Sequence, residues 1–263
     1  MNSSKLTGIL FIIFIFGIQS TVQAENFRAR IVKIQGQVYV VNAQGEKREP
    51  QKKQFLVNDN ETVVTSKGSK AVVQFDDGAM SVMDETTSLR VEKTGWLSQL
   101  SGKVYYVFRK VLGKDKQKKV KTKFATIGIR GTTFIVDAST DTQQIALQEG
   151  KLNIESPGDD YEIRKARSTV DDFEAFKQQA AERQQAMNDE FSEYKKNIGK
   201  EFIEYKKSFD LEANKVVSFN GNRVAESDMN QDWQSSFDDF SEFSKDYIDA
   251  YKELDMSADD MHK

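Results

Sequence analysis

The chain has 263 residues, 38% of them hydrophobic and 30% charged, and 38 basic against 41 acidic side chains leave a net charge of −3. That near balance argues against a wholesale nucleic-acid binder, while the hydrophobic fraction suffices for one large domain or two small ones. There is no cysteine and the single histidine is His262, so disulfides, thiolate metal sites and cysteine nucleophiles are excluded and histidine general-base chemistry nearly so; a binding or scaffolding protein is favoured over an enzyme, with no cofactor and no metal.

Lys5 is followed by an apolar run from Leu6 to Ile18, then by Gln19 to Thr21 and by Val22-Gln23-Ala24. A cationic start, a 13-residue apolar stretch and small residues at positions −3 and −1 form the pattern of a secretory signal over residues 1–24, cleaved after Ala24. The run falls short of the ~20 residues that a spanning helix needs. The expected location is therefore the periplasm, with no integral membrane span once the signal is removed.

From Phe27 to about Ile163, short β-branched runs are separated by glycine or polar turns. They predict strands at Arg30–Ile34, Gln37–Val41, Thr62–Thr65, Ala71–Phe75, Ala79–Met83, Ser88–Val91, Lys103–Phe108, Thr133–Val136, Gln144–Leu147 and Lys151–Ile154. No helix-period segment interrupts them, so an all-β domain is expected over residues 25–158, either a sandwich or an irregular solenoid. Ala71, Val73 and Phe75 alternate with Val72 and Gln74, which places one face of that strand in a core. Asp76-Asp77-Gly78 reads as turn chemistry, because no spaced oxygen-ligand loop surrounds it.

Arg109, Lys110, Lys114, Lys116, Lys118, Lys119, Lys121 and Lys123 enclose one acid, Asp115, for a local charge of +7. Lys114, Lys116, Lys118, Lys119 and Lys121 are the candidates for contact with an anionic polymer or partner; the plain alternative is a solvated face.

After the turn cluster Ser156-Pro157-Gly158-Asp159-Asp160 and a linker over 159–168, glycine becomes rare and Glu, Lys, Gln and Ala dominate. This predicts a helical region over 169–263, folded as a hairpin of two helices. Glu190-Phe191-x-Glu193-Tyr194-Lys195-Lys196 recurs as Glu201-Phe202-x-Glu204-Tyr205-Lys206-Lys207, an eleven-residue period close to that of a straight helix. On such a helix Phe191, Tyr194, Ile198, Phe202 and Tyr205 form one stripe, covered by a last helix bearing Trp233, Phe237, Phe240 and Tyr251 or by an outside partner. Asn220-Gly221, between Val217 and Phe219 on one side and Val224 on the other, signals a tight turn. Twelve acids and two lysines from Glu226 to Asp260 give a local charge of −10, either a solvated face or a strip that docks on the basic run.

The most specific segment is Thr122-Lys123-Phe124-Ala125-Thr126-Ile127-Gly128-Ile129-Arg130-Gly131-Thr132-Thr133-Phe134, continuing to Glu149-Gly150-Lys151-Leu152. It resembles the FecR family of periplasmic β-domains, whose signature is a Gly-hydrophobic-Arg-Gly-Thr-x-Phe turn, a strand and a Glu-Gly hairpin. Gly36-Gln37-Val38, Ser69 to Gly78, Leu89-Arg90-Val91 and Leu100 to Val104 match the same succession, so the resemblance runs from about Ile34 to Ile154. Thr122-Lys123 stands where the family often has Thr-Pro, which loosens the turn but leaves its core intact. The resemblance marks Gly128, Arg130, Gly131, Thr132 and Phe134, and we read them as structural, with the Arg130 guanidinium tying turn carbonyls together.

FecR-type regulators carry a cytoplasmic sigma-factor-controlling segment before a membrane span, whereas this chain begins with an export signal. The resemblance therefore implies a stand-alone envelope version of the sensory β-domain. Non-catalytic recognition in cell-envelope signalling is the expected function, through an envelope protein, a polymer or a small ligand, without nucleic acid and with self-association open. The alternative is a structural spacer or oligomerisation rod built on the eleven-residue repeat.

Overall fold

A computed structural model describes residues 29–50, 54–92, 96–108, 118–129, 131–165 and 202–260. Residues 1–28, which include the expected signal, and residues 166–201 lie outside the described residues. The first part of the chain forms β1 (Ala29–Gln35), β2 (Val38–Val41), β3 (Lys47–Arg48), β4 (Phe55–Val57), β5 (Thr62–Thr65), β6 (Lys70–Phe75), β7 (Met80–Met83), β8 (Ser88–Val91) and β9 (Leu97–Phe108). Then follow β10 (Lys119–Lys121), β11 (Thr126–Ile129), β12 (Thr132–Ala138), β13 (Gln143–Glu149), β14 (Lys151–Glu155) and β15 (Tyr161–Lys165). The last strands are β16 (Phe202–Lys206), β17 (Ser208–Glu212), β18 (Lys215–Asn220) and β19 (Arg223–Asp228), before a helix α1 (Gln231–Asp260). All ten strands expected from the sequence fall on observed strands.

The strands make two packed layers. One, layer A, has the order β4-β1-β6-β7-β9-β12-β13-β18-β19-β15-β16, antiparallel except for the β15–β19 pair. The other, layer B, runs β3-β2-β5-β8-β9-β10-β11-β14-β17, antiparallel except for β9–β10. Strand β9 belongs to both: Leu97–Ser101 pair in layer B, and Gly102–Phe108 pair with β12 in layer A. The bend falls at Gly102, whose φ is +83°, and a Cβ there would lie 2.5 Å from the Thr87 Cα. Only glycine meets both conditions without displacing backbone.

Alternating residues of the two layers fill the space between them: Val40, Val63 and Leu89 from layer B meet Val73, Val104, Tyr106, Phe134 and Ile145 from layer A, all essentially inaccessible. Layer A is apolar on its outer face as well. Val72, Val82, Tyr105, Ile135, Ala146 and Val216 point away from layer B and are covered by Phe237, Phe240 and Ile248 of α1. Tyr105 stacks on Phe240 with ring centroids 5.8 Å apart and meets Phe237 edge-on at 5.9 Å. The Asn230 side chain caps the helix by accepting from the Trp233 N–H, and Tyr247 donates to the Val32 carbonyl.

Two expectations are corrected. Among the described residues the expected helical hairpin is represented by one helix, and the face that covers Trp233, Phe237 and Phe240 is a sheet and not a second helix. Residues 202–228, placed in the helical region, form four strands, and β15 occupies the supposed linker. The reason is visible in β17, where Phe209 and Leu211 turn inward while Ser208, Asp210 and Glu212 face solvent: period two outweighs the aromatic spacing. Phe202 and Tyr205 belong to strand β16, where Tyr205 is exposed. Phe191, Tyr194 and Ile198 lie outside the described residues. The Asn220-Gly221 turn forms as expected, joining β18 to β19 with Gly221 at φ +64°. Strands β15 and β16 are paired up to Lys165 opposite Phe202.

Candidate functional site

The glycine-rich motif is a corner where the chain passes from layer B to layer A. Gly128 is buried on β11 between Lys119 and Asn153; Gly131 turns with φ +64°; Thr132 starts β12 with its side chain inside. Phe134 is fully buried, its ring 5.0 Å from Tyr106 and 6.2 Å from Phe108. The next corner packs against it, so that a Cβ on Gly150 would lie 2.5 Å from the Gly131 carbonyl oxygen. These residues build the fold. Arg130 lies outside the described residues.

The basic run divides. Lys114 and Lys116 lie outside the described residues. Lys118 turns to Asp77, at 2.7 Å, and its ammonium sits over the Phe75 ring. On β10 the alternation buries Val120 and sends Lys119 and Lys121 to the outer face of layer B, where their ammonium groups lie 5.1 and 4.5 Å from the ring centroid of Trp96. Lys121 also reaches Glu92 at 3.3 Å, and Ser98 donates to the same carboxylate. Among the described residues Lys119 has no carboxylate partner. The lysines do not meet α1: the helix sits on the other layer, where Lys33 donates to the Phe243 carbonyl and Lys70 and Lys103 face Phe240 and Trp233. A docking of the acidic strip on the described lysines of the basic run is thereby overturned.

Burial pushes the Glu92 carboxyl upward, but hydrogen bonds from Ser98 and Lys121 and the charges of Lys121 and Arg90 outweigh it and hold the group below its ordinary range. The patch thus sets Lys119 and Lys121 beside a flat indole, with the Glu92 carboxylate paired to Lys121, so that the Lys119 ammonium and the ring are offered to anionic groups. Sequence reasoning missed Trp96, Glu92 and Ser98. Their meeting with β10 depends on the parallel β9–β10 pairing, which no local spacing announces. Among the described residues no group of three or more acidic or histidine side chains is placed to hold a metal ion.

Residues 61–153 match the family model described as FecR protein. This stretch is a FecR-type segment. It contains the motif corner and every residue of the Trp96 patch. No curated protein matches the chain. Two crystal structures of a candidate anti-sigma factor from Parabacteroides distasonis ATCC 8503 are similar at 13% identity, with TM-scores of 0.42 and 0.41, over 64% of this chain. The chain spans 60% of the length of those proteins. Among the described residues no helix is long and apolar enough to cross a membrane.

Proposed function

We propose that the chain is a non-catalytic recognition module of cell-envelope signalling, exported to the periplasm with cleavage after Ala24, whose FecR-type segment binds an acidic envelope protein or polymer through the face around Trp96. The observation that carries this reading is the indole of Trp96 lying beside Lys119 and Lys121, within the segment that matches the family. A flat ring bordered by cations offers both stacking and charge, and attraction between exposed charges steers a partner before close contact forms. The absence of cysteine and the terminal position of His262 support a role without catalysis.

The test is binding of the mature chain to envelope material from its own cell, followed by salt titration and by Trp fluorescence. Reversing charge in Lys119→Glu with Lys121→Glu is expected to weaken capture about tenfold or more and to flatten its salt dependence. Capture unaffected by both substitutions would place the partner elsewhere. Mass spectrometry of the native protein is expected to begin at Glu25. The rod reading loses ground because the second copy of its repeat includes strand β16.

A further inference from the structure

The layer change in β9 opens the sandwich at one end. There Gln99 and Leu100 of β9, Lys123 and Phe124 of the β10–β11 turn, and Ala138 to Asp141 of the β12–β13 loop surround a cleft of about 510 Å³ with Gln143 at its inner wall. Two glutamines meet the cleft in different states. Gln99 is fully engaged: its amide nitrogen donates to the Gly102 and Val136 carbonyls at 2.8 and 3.0 Å, and its oxygen accepts from the Tyr106 hydroxyl. The Gln143 side chain is 1% exposed, yet its Nε2 has no hydrogen-bond partner. An unpaired buried amide donor is costly and is rare unless something else supplies the acceptor.

We propose that this cleft binds a sugar ring, with the Gln143 amide donating to a ligand hydroxyl or carbonyl. The lining calls for a ligand that both donates and accepts. The buried Gln143 Nε2 needs an acceptor, the exposed Lys123 and Asp141 present one donor group and one acceptor group at the mouth, and Phe124 with the exposed Leu100 offers an apolar surface beside them. Saccharide hydroxyls serve both polar roles and the C–H face of the ring serves the third. One cation and one anion at the mouth favour a neutral saccharide. The volume lies in the ordinary range for small-ligand sites and accommodates one or two rings. This site is separate from the Trp96 patch and stands or falls without it.

The experiment measures saturable binding of chitobiose, maltose and diglycine to the mature chain by ligand-observed NMR, in wild type, Gln143→Leu, Asp141→Asn and Lys245→Ala. Expected is binding of at least one disaccharide, weakened about tenfold in Gln143→Leu and in Asp141→Asn and unchanged in Lys245→Ala, an exposed position on α1. Because the Gln143 amide has no partner within the protein, Gln143→Leu is also expected to melt no lower than wild type. Binding of diglycine alone would assign the cleft to peptides and overturn the proposal. So would the absence of any saturable binding, or a clear loss of stability in Gln143→Leu, which would mean that the amide serves the fold.

Discussion

A Cβ at Gly102 meets both an unfavourable φ and the Thr87 backbone, whereas Gly45, at φ +84°, has nothing within 4 Å of the same position. Both alanine variants are therefore strained, but only one is also blocked. Gly45→Ala should cost about 1 kcal/mol and Gly102→Ala about 3 kcal/mol or more, read from chemical denaturation. Gly131 and Gly150 obey the same logic, with φ of +64° and +89°, and this part of the fold was legible because positive φ leaves glycine in the sequence. Trp96 left no such trace. Glu92 gives a pH-dependent check: its folded pKa lies below the unfolded value of ~4.3, so its contribution is full above that value and is lost as pH falls through the folded one. The melting-temperature gap between wild type and Glu92→Gln should be complete at neutral pH and close as acid carries the pH down through the lowered folded value.

Layer A carries uninterrupted apolar runs, Ala71-Val72-Val73, Tyr105-Tyr106-Val107, Phe134-Ile135-Val136 and Ile145-Ala146-Leu147, buried on both sides. Such runs announce a sheet sandwiched between two covers, and they point to the sheet as the counterpart of the aromatic helix. Reading the helix against another helix missed this because the spacing of Trp233, Phe237 and Phe240 says which face is apolar, not what covers it. Helix α1 is accordingly part of the core. Phe240→Ala should cost about 3–5 kcal/mol. Truncation after Asn230 should leave Val72, Val82, Tyr105 and Ile135 bare and drive self-association, measurable by sedimentation; a truncated chain that stays monomeric and equally stable would contradict the packing.

Across the molecule, β9 makes the two layers inseparable, since neither can detach without breaking the strand that both share. Thermal unfolding of residues 29–165 with 202–260 should thus be one transition rather than two. The ten local strands could be read from the sequence, but the pairings that close the sandwich could not: β13 with β18 and β14 with β17 join residues more than fifty positions apart. The pairing of Lys165 with Phe202 has a further consequence. The chain leaves the sheet and re-joins it at facing positions, so the 36 residues between them are spliced into what is otherwise a hairpin. Excision of residues 166–201 in favour of a two-residue Asn-Gly turn is therefore expected to yield a shorter protein with its circular dichroism in the β region and its melting temperature retained.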